Sequence, residues 1–236
     1  QRGYYVFNND RFIRLSDGRI AATAAKYSCA RTQEEDEYCL SSESYAMPVC
    51  FVSDDEGASF TTTKARVALS GRLAQRVGME EPGIIELKNG VIWLWARTML
   101  CYQYQCFSLD GMDTFTPPEP SEFTSPRSPM ELHRLSDGTI FAAYNPVPHY
   151  NGVKHRSYLG RTPLVLRSST DDGKTGGELF TLEGDENGNY CYPAMIETHD
   201  RALLCAYMSN HYDESDPQHI TFSDQSLSIM KVALDG

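Results

Sequence analysis

Apolar segments run into short polar turns and out again at four places along the chain, in residues 7–25, 83–97, 129–145 and 193–207. The turns read Ser-Asp-Gly-Arg, Lys-Asn-Gly, Ser-Asp-Gly and His-Asp-Arg, in that order. Asp-Gly and Asn-Gly between β-rich segments favour tight hairpins, because such turns need positive φ angles that Gly and Asn adopt at low cost. One hairpin repeated at intervals of roughly 50 to 70 residues predicts a repeat architecture built from small antiparallel sheets.

A second repeated element lies between the hairpins and follows the pattern S-x-D-x-G-x-[S/T]-aromatic. We call it the Asp turn; its copies are residues 53–60, 108–115 and 169–176. Met112 replaces the Gly in the second copy, and Gly176 replaces the aromatic residue in the third. The Asp and Ser side chains can bond to backbone amides within such a turn, so we assign it a structural role only.

Hairpin, third strand, Asp turn and fourth strand together make a four-stranded blade, and blades stacked around an axis make a β-propeller. We therefore predict an all-β fold. Residues 1–236 would form a single β-propeller domain, or the C-terminal part of one, because no linker divides the sequence. The predicted blades are residues 3–78, 79–126, 127–189 and 190–236.

Composition narrows the range of partners. The formal net charge of -11 disfavours nucleic acid and anionic membranes. No apolar run approaches the roughly 20 residues of a membrane-spanning helix. The chain has no Cys-x-x-Cys motif and no paired histidines, so we expect neither a metal nor another cofactor. We expect a secreted or periplasmic location rather than a cytoplasmic one.

The seven cysteines are an odd number, so at least one is free or pairs between chains. Cys29 with Cys39, and Cys101 with Cys106, are close enough in sequence to staple loops. Small buried hydrophobic residues are the favoured interpretation for most of them.

Further motifs accompany the Asp turns: Glu-Glu-Pro-Gly-Ile-Ile-Glu-Leu at 80–87, Arg-Thr at 97–98, Arg-Thr-Pro-Leu at 161–164 and Tyr-Cys-Tyr-Pro-Ala at 190–194. With them the chain resembles the sialidase (neuraminidase) superfamily, and most of all its branch with Asp-box (BNR) repeats. The resemblance covers essentially the whole chain, and the motifs occur in the same order. Sialidases have six blades, whereas this chain resembles the last four.

Counting from the hairpin turns predicts where a residue lies along the propeller axis, because residues at equal distances from the turns lie at equal heights in successive blades. The residues nine positions before the turns are Asn9, Glu81, Pro129 and Tyr192. The residues seven positions after them are Ala25, Arg97, Asn145 and Met208. The residues eight positions before each Asp-turn Ser are Tyr45, Leu100 and Arg161. Four side chains are thus predicted to gather at one mouth of the propeller, with the Asp turns on the opposite face: Glu81, Arg97, Arg161 and Tyr192.

Such a set has a chemical logic. Sialidases depart from two-carboxylate glycoside hydrolysis by using a Tyr nucleophile, and arginines bind a carboxylate through two parallel hydrogen bonds. The resemblance implies that Tyr192 is the nucleophile and Glu81 its base. It also implies that Arg97 and Arg161 bind the carboxylate of the substrate.

Three more residues are candidates for contact with substrate. Tyr190 shares the strand face of Tyr192 and is the alternative nucleophile, while Arg11 and Asn145 are candidate substrate-binding residues. Two structural alternatives stay open. Arg97 can form an ion pair with Glu81 or Glu86, and Tyr192 can pack between blades.

The general acid is the main departure from the family pattern. The Asp that serves sialidases as acid and base belongs to an early blade without a counterpart here, and the segment that supplies their first arginine matches Arg11 only out of register. Local candidates for the acid are Asp10, Glu43 and the acidic run at 34–37.

Three classes of function follow. The leading one is an exo-acting, retaining glycoside hydrolase that removes a terminal anionic sugar, with sialic acid as the first candidate. A second is another carbohydrate-active enzyme, acting on glycans that contain uronic acid, since one fold hosts many chemistries. The third is a non-catalytic propeller that binds glycans or proteins. The expected partner in the first two classes is a carbohydrate.

Overall fold

A computed structural model describes residues 3–29, 44–70, 78–146, 160–212 and 222–234. The regular structure of these residues consists of sixteen β-strands. None of the described residues forms a helix that is long and apolar enough to cross a membrane. The strands form four antiparallel sheets, here called A to D, so the predicted all-β fold of β-propeller blades is confirmed.

Two compact units share these sheets, and each is described by itself. The first unit comprises Gln1–Met99 and Gln103–Glu122, and the second comprises Leu100–Tyr102 and Phe123–Gly236. Sheet A and all but a few end residues of sheet B belong to the first unit, and sheets C and D belong to the second. The prediction of a single domain stays a prediction.

The two sheets of the first unit differ in their first strand. The strands of sheet A are β1 (Tyr4–Val6), β2 (Phe12–Arg14), β3 (Ile20–Cys29), β4 (Ser44–Ser53) and β5 (Thr61–Thr62). Both β1 and β2 pair with β3, so the first strand of sheet A is divided into these two short segments. Sheet B has the four strands in sequence order: β6 (Glu80–Glu86), β7 (Ile92–Arg97), β8 (Tyr102–Ser108) and β9 (Glu119–Thr124).

The second unit follows the same plan. Sheet C consists of β10 (Glu131–Arg134), β11 (Ile140–Tyr144), β12 (Leu164–Ser169) and β13 (Leu179–Glu183). Sheet D consists of β14 (Gly188–Glu197), β15 (Ala202–Tyr212) and β16 (Phe222–Ala233). Within the described residues sheet D has three strands rather than the four expected.

All four predicted hairpin turns form, and they join β2 to β3, β6 to β7, β10 to β11 and β14 to β15. Each turn contains a residue with positive φ: 92° at Gly18, 81° at Gly90, 92° at Gly138 and 57° at Arg201. Arg201 therefore adopts the conformation that Gly supplies in the other three turns. It also donates to Glu197 at 2.8 Å and to Asp137 at 3.0 Å, contacts that hold it there.

The three Asp turns make the same hydrogen bonds. In the first, Ser53 Oγ accepts the Gly57 amide at 2.8 Å, and the Asp55 carboxylate accepts the amide and hydroxyl of Ser59 at 2.8 and 2.6 Å. The second and third copies repeat this pattern. These hydrogen bonds lower the pKa of the central Asp to about 2 in every copy.

The two departures from the Asp-turn pattern have local explanations. Met112 takes a φ of 76°, close to the 86° of Gly57, and its side chain is fully buried. Gly176 stands where the other copies have an aromatic residue. A Cβ at Gly176 would lie 1.9 Å from Nε of Arg167, so the Arg167 guanidinium occupies the space beside this turn.

A pair of hydrogen bonds links the two sheets within each unit. Glu86 at the end of β6 accepts the amide and the hydroxyl of Ser16, in the hairpin turn of sheet A, at 2.6 and 2.7 Å. Glu197 at the end of β14 accepts the same two groups of Ser136, in the turn of sheet C, at 2.6 and 2.9 Å. We call this arrangement the Ser–Glu latch. It gives Glu86 a structural partner in Ser16.

Most of the described cysteines are buried and free, as the favoured interpretation of the sequence expected. Cys101 and Cys106 are both free, so the loop staple that their spacing allowed does not form. Cys106 lies in the core and Cys101 is exposed. Burial raises the pKa of Cys50, Cys106 and Cys205 to about 12, which is typical of inert core thiols. Cys39, the predicted partner of Cys29, lies outside the described residues.

Candidate functional site

Glu81 lies in a β-bulge of the first strand of sheet B. Glu80 pairs with Arg97 and Gly83 pairs with Trp95, so two residues of β6 face one residue of β7 across this step. Glu81 has a φ of 50°, which a residue with a side chain seldom adopts. Bulges re-aim side chains, and strained backbone occurs preferentially at functional sites. Glu81 is thus a candidate on structural grounds as well as by its position in the sequence.

Arg97 is bound by two carboxylates. Its Nη1 lies 2.7 Å from Oε2 of Glu81, while its Nε and Nη2 donate to Oε2 of Glu80 at 3.1 and 2.9 Å. The three side chains are 5 to 8% exposed. The ion pair between Arg97 and Glu81, which the sequence left open as an alternative, is therefore formed. The binding of a substrate carboxylate by Arg97 stays a prediction.

Arg11 and Thr23 hold the backbone of the bulge. Arg11 Nη2 donates to the carbonyl oxygen of Glu81 at 3.5 Å, and Thr23 Oγ1 donates to that of Pro82 at 2.7 Å. The Arg11 guanidinium also lies 5.7 Å from the ring centroid of Trp95. Arg11 thus contacts the backbone of Glu81, and its predicted role in substrate binding stays a prediction. We define Arg11, Glu80, Glu81 and Arg97 as the first-unit cluster.

Burial of Arg11 has an electrostatic consequence. The side chain is buried, which lowers the pKa of Arg11 to about 10, while the charges of Glu81 and Asp10 act in the opposite direction. Arg11 stays protonated at neutral pH and adds a fixed positive charge beside Glu81.

Tyr192 lies in a corresponding bulge of sheet D. Cys191 pairs with Met208 and Ala194 pairs with Ala206, so β14 again carries the extra residue. The φ of Tyr192 is 54°. The ring is partly exposed, and the Arg161 guanidinium lies 5.8 Å from its centroid. The guanidinium lies over the ring, as in a cation–π contact.

Arg161 is a buried residue with defined partners. Its Nη2 donates to the carbonyl oxygen of Arg127 at 2.8 Å, and its Nη1 donates to Sγ of Cys191 at 3.0 Å. The Arg161 side chain is 4% exposed and Cys191 is fully buried. We define Arg161, Cys191 and Tyr192 as the second-unit cluster. Cys191 was not among the predicted site residues, and its place between Tyr190 and Tyr192 was the only sequence signal for it.

Asn145 supports the strand that leads to Tyr192. Its Nδ2 donates to the carbonyl oxygens of Pro163 and Tyr190 at 2.9 and 3.2 Å, and its Oδ1 accepts the hydroxyl of Ser128 at 2.6 Å. Asn145 is 1% exposed. The side chain is committed to this scaffold, so we treat Asn145 as a positioning residue rather than as a substrate-binding one.

Tyr190 belongs to the core of the second unit. Its ring makes an edge contact with Tyr207 and is 3% exposed. Burial, followed by the charges of Glu183 and Asp185, raises the pKa of Tyr190 to about 12. A buried phenol that resists ionisation is a poor nucleophile. The structure therefore favours Tyr192 over Tyr190 in that role.

Glu81 and Tyr192 thus share four features: the same distance from the hairpin turn, a bulge, a left-handed backbone and a buried arginine. The sequence held a signal for both bulges. Each residue precedes a proline, Pro82 or Pro193, and proline inside a strand is confined to edges and bulges. Whether the two clusters meet at one mouth stays a prediction.

Of the candidates for the general acid, Asp10 lies within the described residues. Asp10 is exposed, has a φ of 56°, and lies next to Arg11 in sequence. Glu43 and the run at 34–37 lie outside the described residues. No group of three or more His, Cys, Asp or Glu side chains in the described part of the chain is placed to hold a metal ion.

Comparison with known proteins decides the family. The family model of the BNR repeat-like domain matches the sequence over residues 10–225. The chain belongs to this family. No curated protein sequence matches this BNR repeat-like chain.

Solved structures resemble the BNR repeat-like chain in fold. A protein of unknown function from Dyadobacter fermentans has a TM-score of 0.64 at 19% identity, over 94% of this chain and 52% of its own. The NanB sialidase from Streptococcus pneumoniae gives 0.63 at 14% identity, over 94% and 30%. The intramolecular trans-sialidase from Ruminococcus gnavus gives 0.61 at 16% identity, over 95% and 43%.

At these identities the likeness shows the fold alone. The chain spans about half of the first of these structures and less than half of the other two. The fold that the BNR repeat-like chain shares with the second and third of these structures is that of sialidases.

Proposed function

We propose that the protein is an exo-acting glycoside hydrolase that removes a terminal anionic sugar, with sialic acid as the first substrate to test. Tyr192 acts as the nucleophile and Glu81 as its base. Arg161 binds the carboxylate of the sugar, and Arg97 assists it. Asn145 and Arg11 position these groups.

One observation carries the proposal. A Tyr and a Glu, the two residues that the nucleophile pair of a sialidase requires, occupy equivalent strained bulges in two different sheets, and a buried arginine accompanies each. Such conformations cost of order 1–3 kcal/mol each and persist only where the surroundings hold them. Arg11 and Thr23 hold the bulge at Glu81, and Asn145 supports the strand that carries Tyr192.

The chemistry follows from the types of residue. Glu81 takes the phenolic proton of Tyr192, and the phenolate oxygen attacks the anomeric carbon while the bond to the leaving group breaks. A general acid protonates the leaving oxygen, and water then releases the sugar from the tyrosine with net retention. A phenol suits an anionic substrate, because before Glu81 takes its proton the phenol places no second negative charge against the sugar carboxylate.

Hydrolysis of a fluorogenic sialoside by the protein tests the proposal. Tyr192→Phe and Glu81→Gln should each lower kcat by about 10²-fold or more, since each removes one half of the nucleophile pair. Tyr45→Phe is the matched control, because that hydroxyl contacts Sδ of Met47 and lies outside both clusters. Activity that survives in both site variants would refute the assignment.

A panel of substrates separates the alternatives. Cleavage of uronic-acid glycosides without cleavage of sialosides would move the enzyme to the second class of function. Binding of glycans without hydrolysis, unaffected by Tyr192→Phe and Arg161→Ala, would favour a non-catalytic propeller and refute the anionic-sugar site.

A further inference from the structure

We propose that Glu80 is a positioning residue that fixes the orientation of Arg97 and thereby leaves the Glu81 carboxylate able to accept a proton. The inference rests on the function proposed above and extends it to a residue outside the predicted site. Its basis is the way in which one guanidinium is shared between two adjacent glutamates.

The bulge makes this sharing possible. Consecutive side chains of a regular strand point to opposite faces of the sheet, so Glu80 and Glu81 would ordinarily diverge. The left-handed backbone of Glu81, with a φ of 50°, brings both carboxylates to Arg97. Glu80 is the register partner of Arg97 across the two strands, so its side chain starts directly beside the arginine.

The Glu80 and Glu81 carboxylates contact different edges of the Arg97 guanidinium plane. Glu80 accepts the edge formed by Nε and Nη2, at 3.1 and 2.9 Å, while Glu81 lies 2.7 Å from Nη1. Charge-assisted hydrogen bonds from the Nε and Nη2 edge to Glu80, together with the ion pair between Nη1 and Glu81, oppose rotation of the plane. Glu80 therefore occupies the edge of Arg97 that would otherwise be available to Glu81 for two parallel bonds.

The charges of the first-unit cluster balance. Arg11 and Arg97 face Glu80 and Glu81, all four buried, and Asp10 also acts on Arg11. Without the Glu80 charge, the first-unit cluster would hold two arginines and a single carboxylate, that of Glu81. Arg97 would then turn its Nε edge toward Glu81. A carboxylate bound by a full guanidinium edge is a weaker proton acceptor. Catalysis that needs Glu81 as a base should then slow at neutral pH.

Glu80→Gln tests the inference, with Glu86→Gln as the matched control. Both residues lie in the same strand and both lose one charge, but the Glu86 carboxylate accepts hydrogen bonds from Ser16. Hydrogen exchange at Arg97 Nε, followed by NMR and assigned by its loss in Arg97→Lys, measures the hold of Glu80 on the guanidinium directly. We expect exchange to be at least tenfold faster in Glu80→Gln and unchanged in the control.

The kinetic readout is the dependence of kcat on pH. In Glu80→Gln we expect kcat to fall about tenfold at neutral pH, with the acidic limb of the profile displaced to lower pH. Glu80→Asp should restore part of the rate. A variant that only folded less well would lose active molecules without displacing the limb.

The outcomes are distinguishable. Protection of Arg97 Nε equal to that of wild type in Glu80→Gln, or an undisplaced pH profile in an active enzyme, would overturn the role of Glu80. If the wild-type protein hydrolyses none of the substrates tested, the proposed function fails, and the exchange rate at Arg97 still decides whether Glu80 positions it.

Discussion

Replacement of Gly83 by alanine should damage the fold and the first-unit cluster together. A Cβ at this position would lie 2.2, 2.5 and 2.9 Å from the Cζ2, Cε2 and Cη2 atoms of Trp95. Real Cβ atoms do not approach this closely, and Trp95, which is 1% exposed, has little room to retreat. The indole must therefore shift, and with it the contact that Arg11 makes at 5.7 Å from its centroid.

The expected magnitude combines two effects. Overpacking of a core costs about 1–3 kcal/mol, and loss of a desolvated cation–π contact costs about 1–2 kcal/mol. Gly83→Ala should thus lower the free energy of unfolding by about 3 kcal/mol, which for a chain of this size lowers Tm by roughly 6–12 °C.

Urea and thermal unfolding, followed by tryptophan fluorescence, would measure the change. Gly184→Ala is the control, because its nearest neighbour would be Thr181 Cγ2 at 3.4 Å and its φ is not positive. Trp95→Phe removes indole atoms and should be less costly in Gly83→Ala than in wild type, since variants in contact are not additive. If Gly83→Ala melts within 2 °C of the control, the packing argument is wrong; that threshold is set at about a quarter of the expected change.

Four other predictions concern single residues. The pKa of Asp110 is about 2, below the value of about 4 for an unfolded chain. The Asp110 carboxylate therefore stabilises the fold above pH 4, and this contribution is lost as the pH falls toward 2. In a thermal-shift titration, the difference in Tm between wild type and Asp110→Asn should shrink over that range. Cys101 is an exposed free thiol, so Cys101→Ser should remove one fast-reacting group from a titration with Ellman's reagent at pH 8; an unchanged count would show that Cys101 is shielded. Tyr190→Phe should retain kcat within about threefold of wild type, and a severe loss would restore Tyr190 as a candidate nucleophile. Cys191→Ala removes a partner of Arg161 and should raise the KM of an acidic substrate about tenfold, as loss of a hydrogen bond to a charged group does; an unchanged KM would remove Cys191 from the site.

The sequence predicted the sheets well because their signals are local. Turn motifs such as Ser-Asp-Gly specify a backbone conformation by themselves, and all four hairpins formed where these motifs occur. The departures from the Asp-turn pattern have local causes as well. Met112 kept the Asp turn intact because the turn requires a left-handed backbone, which Gly adopts most easily but a buried Met can be held in.

Roles within the site were harder to predict because they depend on contacts between strands distant in sequence. Glu81 and Tyr192 could be aligned by counting from the turns, yet nothing local indicated that Arg11 would bind the Glu81 carbonyl group, 70 residues away. Asn145 fell at the same count as Arg97 but bonds to the backbone near Tyr190. Counting therefore aligned Glu81 and Tyr192 at corresponding bulges of their strands, whereas the partners of each residue depended on neighbouring side chains.

The Ser–Glu latch has a consequence for how the molecule can be divided. In each unit, the turn of one sheet obtains an acceptor for its Ser16 or Ser136 amide from a glutamate of the sheet that follows in sequence. A single sheet expressed alone would expose that amide to water and lose its contact with the neighbouring sheet. The smallest fragment expected to fold is therefore a latched pair of sheets. Cleavage after residue 126 leaves both latches whole, whereas cleavage after residue 78 separates Ser16 from Glu86, so the two pieces of the first cleavage should together retain more structure.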